Sequence, residues 1–278
     1  MNAANVSDPE ISARAIAARL AVEDQTAFLH SEFGRVESRW KSDGTRVTAA
    51  DIAISERIFA ALRARFPEDQ FFSEELADAP DPIPVTARFC WILDPIDGTN
   101  NFALGIPHCA ISLALAEHGE PIYGVVYDLS RRVLMHGGPG FGMHDGDRQT
   151  QVSVTAPHRE TLIGFHSPFD KSLMPLANAI LSEFKIRGLG SATLHLAYVA
   201  AGLLDGSVDY NVKIWDLAAA IPLCRAAGGE VHFLNGEQLP MRVFNLKMGR
   251  ILYVAGSPEM CTRLRGLMDA ARARPDHP

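Results

Sequence analysis

Trp91-Ile92-Leu93-Asp94-Pro95-Ile96-Asp97-Gly98-Thr99-Asn100-Asn101-Phe102 is the stretch that decides the reading of this chain. Three apolar residues predict the end of a buried strand, and they stop at two carboxylates three positions apart. Gly98, Thr99 and two side-chain amides follow at once. A strand that ends this way gathers hard oxygen ligands and backbone N–H groups around one point. A divalent cation such as Mg²⁺ takes oxygen ligands and keeps open positions for substrate oxygens, so the pattern suits a metal and a phosphate. Asp-Pro and Asp-Gly are also ordinary turn dipeptides. The motif alone is therefore compatible with a simple turn, and its neighbours must decide.

Further acidic positions lie on either side. Phe71 and Phe72 predict a short strand that arrives at Ser73-Glu74-Glu75. Asp216 follows the apolar junction Ile214-Trp215 and opens a predicted helix, where its carboxylate serves as a cap or as a ligand. Lys41-Ser42-Asp43-Gly44-Thr45 is turn chemistry, and the next apolar stripe (Ile54, Ile58, Phe59, Leu62) predicts a helix ending near Phe66-Pro67. Thr48 is expected to cap that helix, with Asp51 at its third position as an acidic variant of the capping box.

The 278 residues are 47% hydrophobic and carry a formal net charge of −7. Such a length makes one large domain or two closely packed ones with a sizeable core. The mild acidity argues against a nucleic-acid surface, which gathers Lys and Arg against phosphates. A small anionic substrate would have to be attracted locally, most simply by bound metal. Cys90, Cys109, Cys224 and Cys261 show no C-x-x-C pairing and are expected to be reduced core residues. Met1 to Glu10 lacks a basic and apolar leader, and no window reaches about 18 uninterrupted apolar residues. A soluble, cytoplasmic protein is the expectation.

Along the rest of the chain, Ser7 to about Phe33 has helical spacing, with Ser7 or Asp8 as cap, Pro9 in the first turn and Gly34 as the stop. Strands are expected at 36–40, 109–117, 122–128 and 133–136, then at 162–166, 183–187, 208–210, 230–233 and 252–255. Helices are expected at 173–181, 191–201, 217–227 and 258–271, a surface loop at 79–84 and a frayed tail from Arg272. Trp40 is read as core. Helices alternating with strands of mixed character indicate a layered α/β or α+β protein. The glycine cluster from Gly137 to Gly142 lacks the Gly-Lys-Ser/Thr ending and strand–helix setting of a nucleotide loop.

Taken together, five motifs in order resemble the inositol monophosphatase family of Mg²⁺-dependent, lithium-sensitive phosphatases. They are the run from Lys41 to Asp51, Ser73-Glu74-Glu75, the run from Asp94 to Phe102, Gly188-Leu189-Gly190-Ser191-Ala192, and Trp215-Asp216-Leu217-Ala218-Ala219 followed by Ala227-Gly228-Gly229. The resemblance covers nearly the whole chain. It implies a layered α-β-α-β-α sandwich, with an N-terminal α+β part (1–150) carrying most metal ligands and a C-terminal α/β part (151–278) carrying Asp216 and the specificity residues. It implies two or three Mg²⁺ ions. Glu74, Asp94 and the carbonyl of Ile96 would hold one; Asp94, Asp97 and Asp216 a second; a weaker third would also lean on Glu74. It makes Asp51 and Thr99 the pair that orients and deprotonates the attacking water, and gives Gly98 and Thr99 backbone N–H groups for the phosphate. A homodimer is a further expectation, with no nucleic-acid or membrane partner.

The same resemblance places Gly190, Ser191, Ala192 and an acid seven positions before Asp216 against the leaving alcohol. That acid is Asp209, one methylene shorter than the glutamate usual in inositol-specific members. The implied substrate is a small phosphorylated alcohol, inositol monophosphate or a related sugar phosphate. Histidinol phosphate, a 3′(2′),5′-bisphosphate nucleotide and fructose 1,6-bisphosphate are the alternatives, since Asp209 suits an ammonium as well as hydroxyls. Lys213, Arg187 and His108 are read either as contacts near the site or as ordinary surface and loop residues. A phosphatase-like binding module without activity is the contrary reading; it would be expected to have lost one of the metal carboxylates, all of which are present.

Overall fold

A computed structural model describes residues 8–40, 46–75, 82–167 and 171–273. The predicted turn at Lys41–Thr45, the first half of the 79–84 loop and the last five residues lie outside them. Asp8 caps the first helix by accepting the Glu10 N–H at 2.8 Å, with Pro9 in the first turn. The single helix expected as far as Phe33 is two: α1 (Pro9–Glu23) and α2 (Thr26–Glu32). The polar pair Asp24-Gln25 interrupts the apolar stripe, and the Thr26 hydroxyl closes the break by donating to the Glu23 carbonyl at 2.8 Å. A short ladder follows, β1 (Ser38–Trp40) and β2 (Arg46–Thr48), and then α3 (Ala49–Arg65).

Seven strands form the first large sheet: β3 (Gln70–Ser73), β5 (Phe89–Asp97), β6 (Ala110–Glu117), β7 (Glu120–Asp128), β8 (Val133–Gly138), β9 (Gly142–Asp145) and β10 (Arg148–Thr150). Their order is β10-β9-β8-β7-β6-β5-β3, antiparallel except for the β3–β5 pair. The two-residue β4 (Ile83–Pro84) precedes β5, and α4 (Thr99–Leu104) follows it. The second half supplies β11 (Leu162–Phe165), α5 (Met174–Glu183), β12 (Lys185–Arg187), α6 (Ala192–Ala200), β13 (Gly206–Val212), α7 (Ile214–Leu217) and α8 (Ala220–Ala226). It ends with β14 (Glu230–Phe233), β15 (Val243–Phe244), β16 (Ile251–Gly256) and α9 (Pro258–Ala273). Five of these strands make a mixed sheet of order β12-β11-β13-β16-β14, while β15 pairs with β4. The helix expected over 217–227 starts earlier, at Ile214, and divides into α7 and α8.

Strand side chains alternate between faces, and three apolar clusters show what each face meets. Trp91, Leu93, Ile111 and Leu113 pack on one side of the large sheet against Ile11, Leu29 and Ile58 of α1 to α3. Cys90, Ile92, Ala114 and Val126 face the other way, onto α6 and α8 and the Ile251 and Tyr253 side of the small sheet. Ile163, Val208 and Val254 on its far side cover α5 and α9. The layers are helix, sheet, helix, sheet, helix, the expected sandwich. Both sheets are covered on both faces, which is why β5 and β6 read as nearly unbroken apolar runs. The middle seam is tight at Gly124 of β7, where an added Cβ would stand 1.9 Å from the Ala219 carbonyl oxygen just before α8. The four cysteines are buried thiols.

Candidate active site

Asp94 and Asp97 are three residues apart, so a regular strand would send them to opposite faces. It does not, because β5 is bulged between them. Asp94 pairs with Ser112 and Asp97 with Ala110, three steps on β5 against two on β6. The extra residue shifts the alternation by one, turning both carboxylates toward the central helical layer. Asp216, in α7, meets them there, and ligand oxygens of all three lie within 4.8 Å of one another. With Glu74 they line a cavity of about 460 Å³ shared by Ile96, Gly98, Thr99, Gly190 and Ala192.

Each carboxylate is oriented by the backbone around it. Asp94 Oδ1 accepts the Ile96 N–H at 3.1 Å. Asp97 Oδ2 accepts the Thr193 N–H at 2.7 Å and the Ser191 hydroxyl, which binds it to the first turn of α6. Asp216 Oδ2 accepts the Lys213 N–H at 2.7 Å, a cap on its own short helix. Burial and mutual repulsion hold Asp94 and Asp216 well above the usual carboxylate range; Glu74 and Asp97 are the leading charged neighbours. Burial raises Asp97 as well, although its hydrogen bonds to Ser191 and Thr193 work against that. Clustered oxygen-only donors that resist ionising together fit a hard divalent cation such as Mg²⁺, whose charge removes the repulsion.

Thr48 caps α3 as expected, and the reciprocal bond comes from Asp51, whose Oδ2 accepts the Thr48 N–H at 2.7 Å and hydroxyl at 2.6 Å. Burial pushes Asp51 up to about 7; the Thr48 bonds pull it down, and Glu75 and Glu74 push it up again. Thr99 Oγ1 donates to the Ile96 carbonyl at 2.9 Å and lies 3.5 Å from Asp51 Oδ1. Gly98 precedes α4 at φ +86°, and a Cβ there would stand 2.9 Å from the His108 carbonyl oxygen. A larger side chain would be strained at that bend. Asn101 ties this corner to the Gly188–Ala192 segment, donating to the carbonyls of His108 at 2.7 Å and Leu189 at 2.8 Å.

Asp209 is placed differently from the other acids. Its side chain is fully buried, and it does not line the cavity. Oδ1 accepts the backbone N–H groups of Tyr210 at 2.9 Å and Asn211 at 3.3 Å, and Oδ2 lies 2.5 Å from His166 Nδ1 and 3.6 Å from His195 Nδ1. His166 stands at the cavity wall in its stead. Lys213 turns its ammonium to the Met248 carbonyl, and Arg187, exposed, donates to the Ile186 carbonyl at 2.9 Å. Trp40, expected in the core, is 66% exposed at the cavity rim, with the Arg46 guanidinium 4.4 Å over its ring. Among the described residues, no second layer covers this indole at the end of its two-stranded ladder. His166, Arg46, Ser167 and Asn211 are lining residues that sequence reasoning did not find. His166 carries no local signal, since its partner Asp209 is brought beside it only by the parallel pairing of β11 with β13.

A model of the Inositol monophosphatase family matches residues 7–267. The chain belongs to the inositol monophosphatase family. As a member it is a phosphoric monoester hydrolase, of a metal-dependent family whose named relatives point to phosphorylated sugars or alcohols. It is 35% identical to an inositol-1-monophosphatase of Mesorhizobium japonicum over 76% of this chain and 81% of the relative. A Nus factor SuhB of Pasteurella multocida is 34% identical, over 72% of this chain and 76% of the relative. The crystal structure of the suhB extragenic suppressor protein of Bartonella henselae superposes with a TM-score of 0.80 at 28% identity, covering 91% of this chain and 97% of that one. Among the described residues, no helix is long and apolar enough to cross a membrane.

Proposed function

We propose that this protein is a Mg²⁺-dependent phosphomonoesterase that hydrolyses a small phosphorylated alcohol, inositol monophosphate or a related sugar phosphate, with water as the nucleophile. The observation that carries this reading is the convergence of Asp94, Asp97 and Asp216 within 4.8 Å in a cavity that also holds Glu74 and the turn at Gly98-Thr99. Glu74, Asp94 and the Ile96 carbonyl would hold one ion, and Asp94, Asp97 and Asp216 a second. The N-terminal part to residue 150 thus provides most ligands, and the C-terminal part provides Asp216. Bound Mg²⁺ supplies Lewis acidity and positive charge to the phosphoryl centre.

The protein's own contribution is placement and proton handling. Backbone N–H groups of Gly98 and Thr99 orient phosphoryl oxygens at the bend before α4. The Thr99 hydroxyl holds the attacking water, and Asp51 takes up its proton; a carboxyl pushed up to about 7 is matched to that task near neutrality. Gly190 and Ala192 form the wall on the alcohol side, with Ser191 between them turned to Asp97. In-line displacement of this kind needs positioning and electrostatic stabilisation rather than a protein nucleophile.

The test is phosphate release from inositol 1-phosphate, histidinol phosphate, fructose 1,6-bisphosphate and adenosine 3′,5′-bisphosphate, with Mg²⁺ and with EDTA. Release that requires Mg²⁺ and favours inositol 1-phosphate supports the reading. Dominance of another ester replaces the substrate, and no release from any of them removes the reading altogether.

A further inference from the structure

The buried cluster behind the cavity wall assigns a recognition role to a residue other than Asp209. Asp209 Oδ1 is taken by two backbone N–H groups, and its Oδ2 is closed off from the cavity by the imidazoles of His166 and His195. The two rings lie 4.4 Å apart between centroids, inclined at 44°. His195 is fully buried, while His166 keeps 19% of its side chain exposed, on the cavity. The three ligand atoms lie within 4.8 Å of one another, a spacing that a cation also spans. The hydrogen bonding argues against a cation. His195 Nε2 accepts the Leu189 N–H at 3.0 Å, so the proton of the neutral ring sits on Nδ1 and faces Asp209. A metal on that nitrogen would require an imidazolate. Neither His166 Nδ1 nor His195 Nδ1 makes a well-directed hydrogen bond to Asp209 Oδ2, so close contact between the rings and the carboxylate holds this cluster.

The same logic fixes His166. A carboxylate offers only lone pairs, so His166 Nδ1, 2.5 Å from Oδ2, carries a hydrogen. That leaves Nε2 as the ring nitrogen available to the cavity. We propose that His166, oriented by the buried Asp209, reads the leaving alcohol by accepting a hydrogen bond at Nε2 from a donor on that alcohol. Asp209 is then a positioning residue that acts through His166, and His195 holds Asp209 from behind. This rests on the phosphomonoesterase reading and deepens it. The shared chemistry is a hydrogen-bond donor on the leaving group, either a hydroxyl of a polyol or the ammonium of an amino alcohol.

A double-mutant cycle read on selectivity tests it. Wild type, His166→Phe, Asp209→Ala and the double variant are assayed with Mg²⁺ on inositol 1-phosphate, histidinol phosphate and 4-nitrophenyl phosphate, whose leaving group carries no donor. The expected result is that His166→Phe lowers the kcat/KM ratio of the preferred alkyl ester to the aryl ester by roughly tenfold or more, the scale set by losing a buried hydrogen bond. Asp209→Ala lowers it alike, and the double variant loses no more than His166→Phe alone. Preference of the wild type for inositol 1-phosphate identifies a hydroxyl as the donor; preference for histidinol phosphate identifies the ammonium. ¹⁵N imidazole spectra of the metal-free protein give a readout apart from turnover: His166 shows the Nδ1–H form, and its Nε2 resonance moves on adding myo-inositol or histidinol.

Three results overturn the proposal: an unchanged ratio in His166→Phe, a further tenfold drop on adding Asp209→Ala to it, or an Nε2–H ring that ignores both alcohols. If Asp209→Ala does not fold, His166→Phe and the spectra still decide. A wild type that releases phosphate from none of the three esters defeats the phosphomonoesterase reading itself, and the role of His166 falls with it. An active wild type with an unchanged ratio in His166→Phe defeats only the latter.

Discussion

Two bulged strands bring acids to the same central layer, and they manage the charge in opposite ways. In β5 the irregularity lies between Asp94 and Asp97; in β13 it lies between Asp209 and Val212. Asp94 and Asp97 meet Asp216 and Glu74, all acids; burial raises Asp94, Asp97 and Asp216 above the ordinary carboxylate range, and repulsion adds to it at Asp94 and Asp216. Asp209 is buried as deeply, which by itself would raise it, yet its contacts with His166 and His195 hold it well below that range. One cluster gathers acids whose spacing suits a cation from outside. The other already sets two imidazoles of the chain against its carboxylate.

The largest expected effect comes from breaking the first cluster. Asp97→Asn keeps an oxygen for the Ser191 hydroxyl and the Thr193 N–H, so the fold should survive while a charged ligand is lost. Turnover should fall by about three orders of magnitude, the scale of losing a main electrostatic group, with an unchanged circular dichroism spectrum. Near-normal turnover would show that Asp97 is not part of the metal site.

The cation itself sharpens the contrast. Mg²⁺ at 100 times its dissociation constant should stabilise the fold by about 2.7 kcal/mol, read as a rise in Tm. The pH dependence has a definite sign. Asp51, Asp94 and Asp216 have folded pKa values above their unfolded ones, so they favour folding fully below the unfolded carboxylate range. That contribution is lost as pH rises through the folded values, which for Asp51 is about 7. Metal-free protein should therefore melt lower at pH 8 than at pH 6, and the gain from Mg²⁺ should be greater at pH 8 because protons no longer compete. A Tm unmoved by Mg²⁺ at both pH values would contradict the cation-dependent half of the comparison.

Much of this contrast was open to sequence reading, and the reason is locality. The run from Trp91 to Phe102 contains a strand end, its two acids and the glycine bend within one short segment, while Thr48 and Asp51 make their capping box across three residues. Asp216 was legible for the same reason, as the start of a helix after an apolar junction. The second cluster was not. His166 follows β11 directly, Asp209 lies in β13 and His195 in α6, and only tertiary pairing makes them neighbours. Trp40 misled because an aromatic residue favours burial on average, whereas this one ends a two-stranded ladder at the cavity rim. The break at Asp24-Gln25 was missed because helical apolar spacing resumes on its far side.

A smaller structural effect addresses how the Asp216 segment reaches the acids of β5. Gly124 lets β7 approach the Ala219 carbonyl, three residues beyond Asp216, closely enough that a Cβ would stand 1.9 Å from the oxygen. Gly124→Ala should cost about 1–3 kcal/mol through overpacking, measured by urea unfolding. It should also weaken Mg²⁺ binding measured by calorimetry, because Asp216 is pushed away from Asp94 and Asp97. A stability loss with unchanged Mg²⁺ affinity would show that the seam does not set the ligand spacing.

Thr48→Val makes the smallest change, at the acid that stands between the two extremes. Asp51 is buried beside Glu74, as Asp94 and Asp216 are, yet it is partly satisfied by its own chain, as Asp209 is. Valine keeps the backbone N–H bond to Asp51 but removes the hydroxyl, which both caps α3 and donates to Asp51 Oδ2. Losing the cap should cost about 1 kcal/mol. Losing the donor removes an interaction that favours the ionised carboxylate. Asp51 should then rise further, and if it accepts the proton of the attacking water, the acid limb of the kcat/KM profile must move to higher pH, because the base becomes available later. A limb that stays in place while stability falls would confine the Thr48–Asp51 pair to helix capping and assign the proton to another group.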